Sequence, residues 1–531
     1  MEVPGGTDAR SPRATTIVHS RWAQTLLLAL LCVGSFAAGI PGGFVSDDKF
    51  AILGHQAVQG TAPLLEVFTR SFWGDPLSAL PPSYRPIATL SFAIDHRLFG
   101  GSALAFHLSS LLWYLALVLL GWTFARRCMP PLAAWLAMAL FAVMPTHAEN
   151  VASLVGRADT MGVLFAVLAL LAVSPTVVDG QATSLRRVLL AMLAFATGLL
   201  CKESIAVLPV VVGLGAEARR RSGAPPPASR FRLHAPTAGL FLVLALYLAF
   251  RLEIQPGTFS YTAPTDVVAG AGFFETAAYT IELVARYARL IAVPVGLCTG
   301  RTFAEVSRPT GVSATLLAGV GLAALALYVS WKSYRRGDFP FVAAAVLAWA
   351  EIAGVLFAIP ESMADRFLIF PSFFLCLALG QWLSAVWRRA VWARVLVLAA
   401  LGTQVVLSSL QAATWHDDGR LLAHAVRACP SSIHNHFRYA EYLSQNGQVD
   451  EAVWHYAVFT SGRHAFPNAW SHPAAKEERT VPIDQRLRDM HRLLRFSLDE
   501  RTWRGRFVAY LRSLGRRREA QLMSGISSGE P

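Results

Sequence analysis

The chain has 531 residues, of which 54% are hydrophobic and only 15% are charged, and its mean hydropathy is +0.44. A soluble chain of this length needs more polar residues to cover its surface, so a water-soluble globular protein is excluded. The formal charge of +13 does not indicate a nucleic-acid partner either, because the arginines cluster between apolar stretches, a pattern that sets membrane topology.

The apolar stretches are about as long as a bilayer is thick, which predicts an all-α, polytopic membrane helix bundle with about eleven spans over 22–411. The cytoplasmic N-terminal tail (1–21) precedes the first span at 22–40, and a long non-cytoplasmic loop (41–102) follows it. The other spans are predicted at 103–125, 129–145, 160–176, 187–201, 203–216, 236–252, 312–331, 340–359, 366–386 and 391–411.

Alternating sides place the arginine clusters in the cytoplasm only if 272–297 does not cross, so this stretch is predicted to be re-entrant or interfacial. The C-terminal region, 412–531, then lies on the non-cytoplasmic side. Within it, Tyr442-Leu443…Gly447…Glu451-Ala452 recurs at Tyr510-Leu511…Gly515…Glu519-Ala520, 68 residues further on. That is twice the 34-residue tetratricopeptide (TPR) period, which predicts a short TPR-like helical domain, with a plain helical hairpin bundle as the alternative.

The six cysteines, at 32, 128, 201, 298, 376 and 429, form no CxxC or Cys/His cluster. Neither a disulfide framework nor a zinc site is therefore predicted.

Five polar clusters occur where charge is costly, at the ends of apolar spans. Asp47 and Asp48 follow the first span and could bind a cation or act as a general base, unless they form a solvated turn. Arg85 offers a planar fork for a phosphate or carboxylate, or it pairs with Asp75 or Asp95. Lys202, beside Glu203, suits a lipid phosphate or an internal Lys–Glu pair.

The other two clusters lie at 145–160 and 360–366. His147 and Glu149 could orient a polar substrate, although an HxE pair is a weak metal motif. Arg157 and Asp159 could form an ion pair on a short surface helix, and Asp365 with Arg366 lies at the non-cytoplasmic interface. All five clusters are predicted on one side, which suits a site that takes one substrate from the bilayer and another from water.

These segments resemble, in this order, those of the transmembrane-and-TPR (TMTC) proteins, O-mannosyltransferases of the GT-C membrane glycosyltransferase superfamily. The matching stretches are FVSDD (44–48), FTRSFWGDPL (68–77), SYRPIATLSF (83–92), PTHAENVASLVGRADT (145–160), CKESIAVLP (201–209), DRFLIFPSFFLCL (365–377) and the bridge from WHDD (415–418) to CPSS (429–432). There are departures: Ser46 stands where an aromatic residue is commoner, KESI replaces a KEQG-like motif, and the repeat region is short.

The resemblance implies a GT-C-like fold and inverting transfer of a sugar, mannose above all, from a polyprenyl phosphate to a hydroxyl of a protein or glycan. Asp47 or Asp48 would be the base, and Arg85, Lys202 and Arg366 would hold the donor phosphate. The sugar and acceptor pocket would be shaped by His147, Glu149, Arg157, Asp159, Glu203 and Asp365. GT-C enzymes differ in metal need, so a divalent cation stays open, although no convincing metal site is seen.

Two other functions fit parts of the pattern. A transporter or flippase for a lipid-linked sugar would use the same cations, but it would favour inverted repeats and broken midplane helices. A non-catalytic scaffold that binds partners through its tail would leave the charged clusters unexplained. Since no glycosylation sequon occurs and only one repeat is well formed, a bacterial inner membrane is favoured over an endoplasmic reticulum.

Overall fold

The structure is a computed structural model, and it describes residues 20–79, 83–221, 230–256, 273–301, 312–352, 363–448, 451, 452, 455 and 521. Regular structure within these residues is helical. Extended pairing there is limited to two isolated bridges, one between Arg70 and Pro76 and one between Arg301 and Met363. The predicted all-α class is therefore confirmed.

Fifteen of the described helices have eleven residues or more. In chain order they are α1 (Arg21–Phe36), α2 (Pro86–Phe99), α3 (Ala103–Cys128), α4 (Pro131–Ala142), α5 (Arg157–Ala172), α6 (Leu185–Leu199), α7 (Leu208–Arg221), α8 (Arg230–Ile254), α9 (Phe273–Ala292), α10 (Ala314–Arg336), α11 (Phe341–Ile352), α12 (Ile369–Trp387), α13 (Val391–Ala413), α14 (Asp418–Ala428) and α15 (Ile433–Gln445). One-turn helices join several of them, including Pro145–His147, Ala148–Ala152, Leu154–Gly156 and Glu203–Ile205.

The chain is a multi-pass membrane protein, but eleven crossings are not confirmed. Among the described residues, seven helical stretches are long and apolar enough to cross a bilayer. They are Arg21–Gly39, Ala103–Cys128, Leu154–Ala172, Leu233–Ile254, Ala314–Arg336, Asp365–Trp387 and Val391–His416, and a bent pair around Pro145 adds an eighth if it counts as one span.

Four of the predicted spans account for the difference. Helices α6 and α7 have 15 and 14 residues, so each is only about 21–23 Å long, well short of a hydrocarbon core of ~30 Å. Helix α11 has 12 residues, and the rest of its predicted span, 353–359, lies outside the described residues. The fourth, at 129–145, is the bent pair itself.

The bend at Pro145 changes the direction of the chain. Helix α4 and the Pro145–Ala152 segment meet at 53°. Proline supplies no backbone N–H and its ring blocks a continuing helix, and Met144 before it has the extended backbone that a following proline favours. The segment that carries His147 and Glu149 therefore crosses the end of the bundle and does not extend α4.

Close helix contacts are made at glycines. A Cβ on Gly380 of α12 would lie 2.5 Å from the Ala137 side chain of α4. A Cβ on Gly162 of α5 would lie 3.1 Å from the Cβ of Lys202, which follows α6. Small residues let membrane helices approach closely, and at Gly162 this approach places Lys202 against the helix that begins at Arg157.

A disulfide joins Cys298 to Cys429, and the prediction that no cysteine pair exists is wrong. The two residues are 131 positions apart, and spacing alone cannot reveal such a pair because it depends on the fold. Cys298 lies after α9 and Cys429 at the end of α14, so the bond ties the membrane region to the C-terminal helices.

This bond predicts the number of reactive thiols. Cys32, Cys128, Cys201 and Cys376 are free, so maleimide should label four cysteines in denaturant without reductant and all six after reduction. Cys298→Ser and Cys429→Ser should each lower stability by about 2–4 kcal/mol, and the double substitution should cost no more than either one. Labelling of six thiols without reductant would contradict the bond.

The first repeat copy in the C-terminal region has a glycine turn after α15 and a small buried alanine. Gly447 follows α15 with a φ of +76°, a backbone conformation that glycine adopts without strain. Ala452 is buried and packs with Ala440 and Leu443. The second copy (510–520) lies outside the described residues, so the TPR-like domain stays a prediction, and so does the interfacial role of 272–297, where α9 is not among the seven crossing stretches.

Candidate active site

The two adjacent carboxylates after the first span have different environments. The Asp48 side chain is fully buried. Its Oδ1 accepts a hydrogen bond from the Val155 backbone N–H at 2.9 Å, and its Oδ2 accepts one from Val45 N–H at 3.2 Å. Asp47 is partly exposed, with Ser46 Oγ 3.4 Å from its Oδ1. Asp48 therefore fixes the turn to the Leu154–Gly156 segment, while Asp47 faces a more open space.

Burial raises the pKa of Asp48 from 3.8 to about 7. The folded protein therefore holds a proton between about pH 4 and pH 7 that the unfolded chain releases, so stability falls as pH rises through this window. Between pH 5 and pH 8 the wild type should lose roughly 2–3 kcal/mol relative to Asp48→Asn, which has no ionisable group there. Thermal unfolding in detergent at both pH values measures this difference, and parallel curves for the two proteins would contradict it.

Three cations and three carboxylates from distant parts of the chain pair with one another. Arg366 Nη1 lies 2.5 Å from Glu149 Oε1, Lys202 Nζ lies 3.4 Å from Asp159 Oδ2, and Arg85 Nη2 lies 3.4 Å from Glu203 Oε1. Arg85 and Arg366 are both close enough to act electrostatically on the Lys202 ammonium group. The side chains of Arg85 and Arg366 keep 15% and 21% of their surface exposed, so two of these cations are open to a ligand.

The acidic turn is linked to these pairs through the 145–160 segment. Asp48 bonds to Val155, and a Cβ on the next residue, Gly156, would lie only 2.3 Å from the Glu149 carbonyl oxygen. Glu149 in turn also accepts the Arg366 backbone N–H at 3.2 Å. The close approach at Gly156 thus places the acidic turn and the Glu149–Arg366 pair side by side.

His147 and Arg157 lie inside the bundle. His147 is fully buried, with Tyr114 Oη 2.8 Å from its Nδ1 and Ser372 Oγ 2.8 Å from its Nε2. Arg157 is also fully buried, and its Nη1 lies 2.5 Å from Asp95 Oδ2. The expected pair between Arg157 and Asp159 does not form. The His147 contacts join α3 to α12, and the Arg157 contact joins α5 to α2, so both side chains are enclosed by helices, unlike the partly exposed Arg85 and Arg366.

Asp365 is also engaged. It is buried and lies 3.3 Å from Arg301 Nη2, so its neighbour Arg366 is held in place from both sides. The Lys202–Glu203 pair that the sequence left open is likewise replaced by pairs to Asp159 and Arg85.

Two further polar residues at this end of the bundle were not predicted from the sequence. Arg251, at the end of α8, is buried and its Nη1 donates to the Tyr84 carbonyl at 3.2 Å. Glu351, near the end of α11, is also buried. A lone charge within or at the end of an apolar stretch was the available signal. Among the described residues, no three His, Cys, Asp or Glu side chains are grouped as a metal site, and the question of a divalent cation stays open.

The comparisons agree with the motifs. A family model described as "Dolichyl-phosphate-mannose-protein mannosyltransferase" matches residues 81–223. A protein O-mannosyl-transferase of Caenorhabditis elegans is 22% identical over 447 residues, which are 81% of this chain and 61% of that protein. The resemblance to the TMTC O-mannosyltransferases is confirmed.

Two further relatives have the same description. Human protein O-mannosyl-transferase TMTC1 is 25% identical over 87% of this chain and 58% of its own length. Protein O-mannosyl-transferase Tmtc1 of Drosophila melanogaster is 35% identical over 208 residues, which are 39% of this chain and 24% of that protein. The chain thus spans less than two thirds of the length of these relatives.

Solved structures of the oligosaccharyltransferase of Archaeoglobus fulgidus also align with this chain. In the apo form the TM-score is 0.41 at 14% identity, over 76% of this chain and 56% of that one. A likeness this low carries no conclusion about the site.

Proposed function

We propose that the protein is an inverting membrane glycosyltransferase, which moves a sugar, mannose above all, from a polyprenyl phosphate to a hydroxyl group of a polypeptide or glycan. The observation that carries this proposal is the grouping of two arginines, Arg85 and Arg366, around Lys202, next to a turn with one partly exposed carboxylate. The cations can bind a phosphate, and the carboxylate can take the proton from a hydroxyl nucleophile. The family resemblance and the names of the relatives support the same activity.

The proposed step assigns a role to each of these groups. Asp47 takes the proton from the acceptor hydroxyl as its oxygen attacks the anomeric carbon. The new carbon–oxygen bond forms as the bond to the phosphate oxygen breaks, and the polyprenyl phosphate leaves with the electron pair. Arg85, Lys202 and Arg366 stabilise the negative charge on that phosphate. Attack opposite the leaving group inverts the anomeric centre.

Glu149, Asp159 and Glu203 have a second part in this proposal. Each neutralises one of the three cations while no phosphate is bound, and each can then bond to sugar or acceptor hydroxyls when the phosphate takes over its cation. The buried His147, Arg157 and Asp365 support this surface from behind by fixing the helices and Arg366. A carboxylate left near the sugar also discourages a second phosphate, which favours a monophosphate donor.

The site is proposed to face the periplasm of a bacterial inner membrane or the lumen of the endoplasmic reticulum. The disulfide between Cys298 and Cys429 supports this side, because such bonds persist in oxidising compartments. The C-terminal helices, which carry Cys429, would then share the compartment of the acceptor.

A transfer assay tests the proposal. Membranes that contain the protein receive radiolabelled polyprenyl-phosphate mannose and a Ser/Thr-containing peptide, and label in the peptide is counted. Transfer that requires the protein supports the proposal. Movement of the intact labelled lipid across vesicle membranes without label in any acceptor would instead identify a flippase. If neither transfer nor lipid movement is observed, a non-catalytic binding scaffold is the remaining function.

A further inference from the structure

The C-terminal helices reach back to the acidic turn. Ser46 is 372 residues from Asp418, yet its backbone N–H donates to Asp418 Oδ1 at 2.8 Å. Arg438 of α15 donates from Nη2 to Ser46 Oγ at 2.7 Å. Asp418 also forms an ion pair with Lys49, on the other side of the two carboxylates. Asp418 of α14 and Arg438 of α15 therefore contact the turn that carries Asp47 on both sides of this residue.

The backbone of Ser46 is strained. Ser46 has a φ of +56°, and it is the one non-glycine residue with a positive φ among those that the structure describes. This conformation costs a residue with a side chain about 1–2 kcal/mol, and it persists only where the surroundings enforce it. Asp418 and Arg438 are those surroundings, since they bond the backbone N–H and the hydroxyl of Ser46.

The start of α15 also contacts the segment that ends at Arg301. Asn435 Nδ2 donates to the Thr299 carbonyl at 2.9 Å, and Ser432 Oγ donates to the Gly300 carbonyl at 2.7 Å. The next residue, Arg301, pairs with Asp365 at 3.3 Å. The C-terminal helices thus contact the base side and the phosphate side of the candidate site at once.

We propose that Asp418 and Arg438 are positioning residues for sugar transfer, which hold Ser46 in its strained conformation and so direct the Asp47 carboxylate at the acceptor hydroxyl. This inference rests on the proposed function. It gives α14 and α15 a part in the chemical step, in addition to any contact that the C-terminal region makes with an acceptor. An acceptor that binds to these helices would then change the orientation of the Asp47 carboxylate.

The test uses the full-length protein in detergent, with polyprenyl-phosphate mannose and a peptide acceptor. Arg438→Met and Asp418→Ala should each lower kcat about 10- to 100-fold, the effect of a misplaced catalytic group, while KM for the donor changes less than twofold. Arg427→Met is the matched control, because Arg427 is exposed and donates only within its own helix, to the Ala423 carbonyl at 2.8 Å. Its kcat should stay at the wild-type value.

A second measurement does not depend on activity. Amide exchange of a peptide that covers 44–54 should be faster in Arg438→Met and Asp418→Ala than in wild type or Arg427→Met, with an unchanged melting temperature. In a double-mutant cycle, Ser46→Gly should remove most of the additional effect of Arg438→Met, because the hydroxyl partner is then absent.

Three results would overturn the inference: a kcat for Arg438→Met and Asp418→Ala equal to that of Arg427→Met, unchanged exchange over 44–54, or activity losses that only follow the amount of folded protein. Failure of the proposed function is a different result. In that case wild-type protein transfers no sugar to any acceptor, whereas the exchange of the 44–54 peptide still responds to the substitutions.

Discussion

Asp47→Asn should lower the rate of sugar transfer by about 10²- to 10⁴-fold, the usual contribution of a general base. The asparagine amide has nearly the same shape as the carboxylate but cannot take the acceptor proton. Because Asp47 is partly exposed and Ser46 Oγ lies at 3.4 Å, the melting temperature should change little. Initial rates with saturating labelled donor and peptide measure the loss, and thermal unfolding in detergent measures stability.

Two aspartates of the same loop serve as comparisons. Asp48→Asn alters a buried carboxylate that two backbone N–H groups contact, so its main effect should be on the pH dependence of stability. Asp75→Asn changes an exposed residue and should leave both rate and stability unchanged. If Asp47→Asn transfers sugar at the wild-type rate while Asp48→Asn does not, the buried residue is the base and the assignment is reversed.

The sequence predicted which residues carry charge near the membrane face, but not their partners. Arg157 and Asp159 are two positions apart on α5, where side chains point to different sides of a helix. Arg157 therefore turns inward to Asp95, and Asp159 meets Lys202. The Arg366–Glu149 pair joins residues 217 positions apart, and such a pair depends on how the helices pack.

The predicted count of about eleven spans is not confirmed among the described residues, for a related reason. Hydropathy detects apolar residues, but it does not separate a helix that crosses the bilayer from a short one that packs on its neighbours. Helices α6 and α7 are apolar over part of their length and meet at Lys202, near the candidate phosphate site. The position of Lys202 between two short apolar stretches already indicated a lipid phosphate or an internal ion pair from the sequence.

Several cations at one membrane face can serve either structure or ligand binding, and Lys202 is the residue where these roles can be separated. Lys202 and Asp159 keep only 8% and 3% of their side-chain surface exposed. Lys202→Met therefore leaves a buried carboxylate without its closest cation, which should cost about 3–5 kcal/mol of stability. The substitution should also weaken binding of the donor. A charged hydrogen bond to phosphate contributes about 1.5–3 kcal/mol, so the KM for the donor should rise roughly 10- to 100-fold.

The double variant Lys202→Met with Asp159→Asn distinguishes the two effects. Without the carboxylate, the buried charge is gone and folding should recover to the level of Asp159→Asn alone. If Lys202 binds the donor phosphate, the KM for polyprenyl-phosphate mannose stays 10- to 100-fold above that of Asp159→Asn, and Lys202→Arg restores part of the affinity. Lys332→Met, an exposed lysine on α10, should change neither quantity. If the double variant has the same KM for the donor as Asp159→Asn, Lys202 only neutralises Asp159. Arg85 and Arg366 would then bind the phosphate without Lys202.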